Sequence, residues 1–277
     1  MTAGGPAAPP GATAAAGDSD GARGRSSDAG LEILRERFAF YLGFLVGGIW
    51  FLLCSALGIV WLLARPRNRQ TLYVYGRVFC RGVVRLMGWE IAVEHRERME
   101  ATRPCVIVAN HQSFADVVTF GSVFPRRTVS AGKRQIGRIP VFGWFYRLSG
   151  NLIIDREHAR SAFQSLEGAA QTVRAENLSV WFMPEGHRNL TGQLLPFKSG
   201  AFRLAIAAGV PVLPIVASPL PAILDTRRRR ARPGRLDVRV LEPVSTAGMT
   251  PKDVPELTAR VRSTMQAALD GLDASVG

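Results

Sequence analysis

The segment CVIVANHQSFAD (105–116) places His111 directly after an apolar, β-branched run, with Asp116 five residues further on. An imidazole takes up a proton near neutral pH, and a carboxylate on its second nitrogen fixes the tautomer and stabilises the imidazolium that forms. Such a pair suits removal of the proton from an attacking hydroxyl. On one continuous helix the two side chains would stand about 140° apart, at 3.6 residues per turn. They can meet only if His111 sits on a strand-to-helix turn and Asp116 in the first helical turn. That is the carboxyl end of a strand, where open α/β sheets put their sites. The spacing has a second reading. Ser113-x-x-Asp116 is also a capping box with Asp in place of Glu, and taken alone the spacing favours the cap. Ser113 fits a cap or turn hydroxyl better than a nucleophile, and Cys105, at the head of a buried strand, fits core packing.

The elements that must position this pair can be read from periodicity. From Arg65 onward, short β-branched runs alternate with longer helical stretches. Strands are expected at 90–94, 105–109, 128–131, 152–154, 178–183, 212–216 and 236–241, and helices at 72–87, 116–124, 158–175, 199–208 and 254–272. This alternation implies an α/β fold with a central, mostly parallel sheet flanked by helices. Ahead of it, Phe38–Ala64 runs 27 residues without a charge. As a helix that is about 40 Å, longer than the ~30 Å hydrocarbon core of a bilayer. Arginines flank both ends (Arg35 and Arg37, then Arg65, Arg67 and Arg69), and Gly47-Gly48 can host a bend. A membrane helix and a helical hairpin both fit. Residues 1–30 contain no Leu, Ile, Val or aromatic residue, so that stretch reads as a disordered tail. The expected organisation is therefore a tail (1–30), a membrane-associated helical segment (31–64) and a catalytic domain (65–277) whose motif core spans about 105–218.

Composition narrows the partners. Of 277 residues, 47% are hydrophobic and 21% charged, which excludes a wholly disordered or collagen-like chain. Thirty-five Lys and Arg against 22 Asp and Glu leave a formal charge of +13. Phosphate-bearing small molecules, anionic lipid headgroups and nucleic acid all suit it. Three scattered cysteines exclude a disulfide framework and a cysteine-based zinc site, and fit a reducing compartment. There is no Walker loop, dinucleotide fingerprint or metal-ligand cluster, so neither a metal nor a bound cofactor is expected.

NHQSFAD (110–116) resembles the first motif of the glycerolipid acyltransferases, a His and an Asp separated by four residues. GKRQIGRIPVFGWFYRLSG (132–150) is similar to the second block of that family, and GNLIIDR (150–156) to the stretch after it. MPEGHRN (183–189) resembles the third block, usually FPEGTRS. LPFKSGAF (195–202) and AGVPVLPI (208–215) resemble the continuation of that block and the fourth block. The likeness runs from about Arg65 to Asp273 and is nearest to the bacterial members that acylate 1-acyl-sn-glycerol 3-phosphate.

The resemblance implies transfer of an acyl group from acyl-CoA or acyl carrier protein to the sn-2 hydroxyl of lysophosphatidic acid, giving phosphatidic acid. His111 is then the general base and Asp116 its orienting partner, with no covalent acyl-enzyme. It also implies that Arg188, Lys133 and Lys198 help hold the acceptor phosphate. Glu185 enters the acceptor site, orienting Arg188 or a glycerol hydroxyl, and Gly186 allows close backbone approach. For Arg134, Arg138 and Arg147 the reading as surface arginines prevails. His187 and Asn189 replace the usual Thr and Ser, which leaves glycerol 3-phosphate or a lyso-aminolipid open as acceptor. His187 reads as a local hydrogen-bonding residue, and His95 and His158 as solvated. The run Arg227–Arg230, with Arg232 and Arg235, reads as a loop between strands facing solvent, anionic lipid or the phosphates of coenzyme A. The expected location is a bacterial inner membrane, with the catalytic domain on the cytoplasmic side and no nucleic acid bound. From a different class, the rival reading is a non-catalytic basic protein binding membrane or nucleic acid, which rests on charge alone.

Overall fold

The computed structural model describes residues 19–66, 68–154, 159–189 and 192–273. Nine strands are present among them: β1 (Trp89–Glu94), β2 (Val106–Ala109), β3 (Thr128–Lys133), β4 (Leu152–Ile154), β5 (Ser179–Phe182), β6 (Val212–Ala217), β7 (Leu224–Asp225), β8 (Arg230–Ala231) and β9 (Gly234–Val240). The α-helices are α1 (Ser19–Ala64), α2 (Thr71–Tyr75), α3 (Arg81–Leu86), α4 (Arg98–Ala101), α5 (Asp116–Val123), α6 (Phe142–Leu148), α7 (Ala159–Ala175), α8 (Gly200–Ala208) and α9 (Val254–Asp273). Seven strands form one sheet in the order β1-β9-β6-β2-β5-β3-β4. The pairs from β6 to β4 are parallel, β9 runs antiparallel to β6, and β1 is parallel to β9. The mostly parallel α/β sheet expected from the alternation is present.

The central strands are buried on both faces, which is why they read as unbroken apolar runs. Along β2 the side chains alternate. Val106 and Val108 pack with α7, α8 and α9, while Ile107 and Ala109 pack with Phe120 of α5 and Trp181. His158, expected to be solvated, lies outside the described residues.

Three local expectations change. First, α1 is one unbroken helix from Ser19 to Ala64. No hairpin forms at Gly47-Gly48, where open space surrounds both positions and the apolar run on either side propagates the helix. It also begins inside the segment expected to be disordered. Extending an existing helix costs one residue's freedom per hydrogen bond gained, so a lack of apolar residues does not stop it; residues 1–18 lie outside the described set. Second, α1 is not a separate segment. Its buried Cys54 and Leu62 share a core cluster with Tyr75, Phe79 and Phe145, and Phe40 packs with Trp89 and Leu236. The core therefore crosses the boundary placed at residue 64. Third, the arginine run joins two strands with Arg227–Arg229 exposed, as expected, but those strands form a small hairpin, β7–β8, that also packs on α1. Arg229 donates to the Tyr41 hydroxyl at 3.1 Å, and Arg230 lies 3.7 Å from the Glu36 carboxylate.

Between α2 and α3 the chain widens into a π turn, Gly76–Cys80, and this turn carries α5 in close contact. A Cβ on Gly76 would overlap the carbonyl oxygen of Gly121 in α5. Backbone cannot swing aside as a side chain can. Gly76→Ala should therefore cost about 1–3 kcal/mol of overpacking and lower the unfolding midpoint by several degrees in a thermal melt; an unchanged midpoint would show the α5 contact to be looser.

Candidate functional site

The parallel strands β2, β5, β3 and β6 end at the same edge of the sheet, and the residues singled out by motif come just after those ends. His111 lies two residues beyond β2, and the Pro184-Glu185-Gly186 turn comes after β5. Lys133 is the last residue of β3. This is the carboxyl edge, as expected for an open α/β sheet.

His111 and Asp116 meet. The ring Nδ1 lies 2.7 Å from Oδ2 of Asp116. The same oxygen accepts the backbone N–H of Gln112 at 2.6 Å and of Ser113 at 2.9 Å. Asp116 is 2% exposed and opens the first turn of α5. Its Oδ2 already accepts two backbone N–H groups, so in this contact the ring Nδ1 is the donor and Nε2 keeps its lone pair. Nε2 has no protein partner among the described residues. The ring itself is partly exposed. The Ser113-x-x-Asp116 capping box does not form: Ala115 is the N-cap of α5, without a side-chain cap bond, and only the Ser113 N–H bond to Asp116 remains, on the oxygen that also holds the ring. Ser113 Oγ accepts the Ala115 N–H at 3.2 Å, a turn hydroxyl rather than a nucleophile.

Glu185 supports the same turn from the neighbouring strand. It is 3% exposed, and its Oε1 accepts the His111 backbone N–H at 2.7 Å while Oε2 accepts that of Leu195 at 3.0 Å. Burial pushes its carboxyl above the usual glutamate range; the two backbone donors and the nearby imidazole pull the other way. Both oxygens are engaged by backbone, so among the described residues Glu185 does not orient Arg188. Its job is to tie the end of β2 to the segment after β5. Gly186 has φ +72°, a left-handed conformation that favours glycine. Asn189 N–H donates to the His111 carbonyl at 2.8 Å, so the third block also closes over the histidine's backbone.

Arg188 is exposed, with no protein partner among the described residues. His187 is exposed beside it. Lys198 is exposed too, its backbone N–H bonded to the Pro184 carbonyl at 2.8 Å. Lys133 is half-buried. Of the candidates, His111, Asp116 and Glu185 are joined directly, Gly186 shapes their turn, and the cations stand around the edge.

Two residues escaped sequence reasoning. Asn110 exchanges hydrogen bonds with Ala217, its Oδ1 accepting at 2.9 Å and its Nδ2 donating at 3.1 Å. Gln112 donates to the carbonyls of Ala217 and Ser218 at 3.1 and 2.9 Å and accepts the Leu220 N–H at 2.8 Å. Both are buried and lock the histidine turn to the end of β6. The signal was available: two long polar amides flanking a histidine at the end of an apolar strand must be buried and bonded.

Comparison with known proteins agrees with this arrangement. A family model described as Acyltransferase matches residues 90–218. The mouse 1-acyl-sn-glycerol-3-phosphate acyltransferase alpha is 38% identical over 230 residues, 83% of this chain and 78% of that protein. The Escherichia coli 1-acyl-sn-glycerol-3-phosphate acyltransferase is 33% identical over 228 residues, 82% of this chain and 92% of that protein. The crystal structure of the 1-acyl-sn-glycerophosphate acyltransferase from Thermotoga maritima superposes with a TM-score of 0.67 at 22% identity, covering 86% of this chain and 96% of that one.

The geometry makes a direct prediction. His111→Ala should lower kcat by about 10²- to 10⁴-fold, the usual worth of a general base, with the fold retained. Asp116→Asn should also lose activity, because an amide in place of the carboxylate no longer dictates the Nδ1–H tautomer. Wild-type turnover by a folded His111→Ala protein would remove the base assignment.

Proposed function

Because the chain belongs to the acyltransferase family of these 1-acyl-sn-glycerol-3-phosphate acyltransferases, we propose that it moves a fatty acyl group from an acyl thioester to the sn-2 hydroxyl of 1-acyl-sn-glycerol 3-phosphate. The product is phosphatidic acid. The observation that carries this reading is the His111 ring, bound at Nδ1 by Asp116 and open at Nε2. Nε2 takes the hydroxyl proton as the acceptor oxygen attacks the thioester carbonyl carbon. The C–O bond forms, the C–S bond breaks, and the proton passes from the imidazolium to the leaving thiolate. The acceptor's own oxygen is the nucleophile, so no acyl-enzyme forms. The donor is acyl-CoA or acyl carrier protein. Arg188, with Lys133 and Lys198, is the cation set for the acceptor phosphate, Arg188 offering a planar two-toothed fork. Glu185 acts through His111 as a positioning residue.

Membrane attachment is part of the same reading. Gly30–Ala64 is long and apolar enough to cross a membrane, and residues such as Leu45, Ile49, Leu53, Val60 and Leu63 are exposed. Yet the domain lies against α1 from Glu36, through Trp50 beside Gly82, to Phe145 beside Gly58 and the buried Leu62. That contact runs along roughly 40 Å of helix at about 1.5 Å per residue, and a polar domain cannot follow a helix through hydrocarbon. This favours α1 lying in the cytoplasmic face of a bacterial inner membrane, in the plane of the anionic headgroups, over a crossing. Phe114, exposed between His111 and Asp116, packs its ring 5.3 Å from Phe44 of α1. The catalytic turn therefore lies at the depth of the lipid acceptor.

Thioester consumption should depend on lysophosphatidic acid; turnover with glycerol 3-phosphate or a lyso-aminolipid in its place would move the acceptor assignment. Arg188→Ala should raise KM for lysophosphatidic acid by roughly tenfold or more, the worth of a charge-assisted contact, and Arg188→Lys should recover only part. A rise confined to the donor KM would put Arg188 on the donor side.

Single cysteines placed at Gly30 and Asn68 report the membrane geometry. Both should react with an impermeant thiol reagent from the cytoplasmic side, and labelling of position 30 only from the opposite side would show that α1 crosses.

A further inference from the structure

On the sheet face that carries α7, α8 and α9, away from α1, the start of α8 and the first half of α9 enclose an open groove of about 690 Å³. Small-molecule sites typically measure about 300–1,000 Å³. Its lining includes the apolar, stiff side chains of Phe197, Pro251 and Pro255 and the cations Arg203, Lys252 and Arg262. The ring of Phe202 stacks behind Phe197, with centroids 6.2 Å apart and planes 15° from parallel. Among the described residues, none lining the groove is acidic. The neighbouring Asp253 carboxylate is engaged in a helix cap, accepting the N–H and hydroxyl of Thr250 at 2.7 and 2.8 Å.

The three cations keep donors in reserve. The Lys252 ammonium is exposed, with no protein partner among the described residues. Arg203 uses only Nε, on Ser199 Oγ at 3.3 Å. Arg262 gives Nε and Nη2 to the carbonyls of Leu195 and Leu194 and retains Nη1. Three cations beside aromatic and proline side chains match a planar base bearing several phosphates.

We propose that this groove binds the phosphorylated adenosine end of acyl-coenzyme A, an inference that rests on the acyl-transfer reading above and names its donor. A concave cleft of this size suits a small molecule; docking an acidic carrier protein takes a broader surface, about 800 Å² per partner. The groove also joins the catalytic turn. Arg262 grips Leu194 and Leu195, the Leu195 N–H bonds Glu185, and Glu185 holds the His111 N–H. The segment that supports the histidine from one side thus continues into the groove lining at Phe197. A donor anchored there reaches the site from solution, and the lipid acceptor reaches it from the α1 side.

The test uses the full chain in detergent micelles and separates binding from turnover. Coenzyme A without an acyl group is titrated calorimetrically against the wild type and against a variant carrying Arg203→Glu and Lys252→Glu. Steady-state kinetics are then run with acyl-CoA and with acyl carrier protein as donors. The variant should lose about tenfold or more in coenzyme A affinity and show a matching rise in KM for acyl-CoA, with KM for lysophosphatidic acid held. In the wild type, 3′-dephospho-coenzyme A should bind more weakly than coenzyme A. Should the double variant misfold, Lys252→Glu alone, at an exposed position, carries the same comparison with a smaller change. Equal coenzyme A affinity in folded variant and wild type overturns the proposal, as does a KM rise seen only with acyl carrier protein. A wild type that binds coenzyme A in a variant-sensitive way yet acylates no lysophosphatidic acid keeps the groove assignment and sinks the acyl-transfer reading instead.

Discussion

One oxygen atom organises this site. Oδ2 of Asp116 accepts from the His111 ring and from the backbone N–H groups of Gln112 and Ser113, all within 2.9 Å. A carboxylate as buried as this one is stable only when its lone pairs are met by donors, and here the donors come from the turn it must shape. The oxygen that orients the imidazole therefore also closes the turn and opens α5. Satisfying the buried carboxylate and orienting the ring are one physical event. Replacing Asp116 would disturb the backbone of the turn as well as the tautomer of the ring, so structure and chemistry at this position cannot be separated by one substitution.

The remaining polar groups of the turn are held from two neighbouring strands. Glu185 ties the His111 N–H to the segment after β5, and Asn110 and Gln112 tie the turn to the end of β6. Each of these side chains is buried, and each bonds mainly to backbone. The imidazole is thereby positioned by the ends of three adjacent parallel strands, which a single helix or loop could not do with the same rigidity. It also explains the mostly parallel sheet: only parallel neighbours bring their carboxyl ends, and the turns beyond them, to one edge.

The two faces of that sheet are covered differently. On one side lie α5, the α2–α3 helical stretch and then α1, with much apolar surface left exposed on α1. On the other lie α7, α8 and α9, which pack against the core through buried apolar side chains. The mean charge of the chain, which by itself allowed lipid, phosphate or nucleic acid as partner, resolves into distinct places. Arginines of the β7–β8 hairpin meet α1, and those of α8 and α9 line a cleft on the opposite face.

Much of this was legible in the residues. The seven strands of the main sheet could be read from short β-branched runs, the central ones because strands buried on both faces must be apolar throughout. The His111–Asp116 pair was legible as a pair, since its spacing permits contact only across a strand-to-helix turn. Other features depended on contacts distant in sequence. Helix α6 was missed because it starts after Val141 at φ +63°, a conformation that local preference disfavours for a β-branched residue. The β7–β8 hairpin hid in an arginine run whose docking on α1 needs Tyr41 and Glu36, nearly two hundred residues earlier. The role of Glu185 was misjudged because its partners, the backbone N–H groups of His111 and Leu195, come together only through the pairing of β2 with β5. Periodicity and composition record what each segment buries, and so determined the main strands, the sheet and the meeting of His111 with Asp116. Which buried carboxylate meets which N–H is a matter of strand order, and only the tertiary structure decided it.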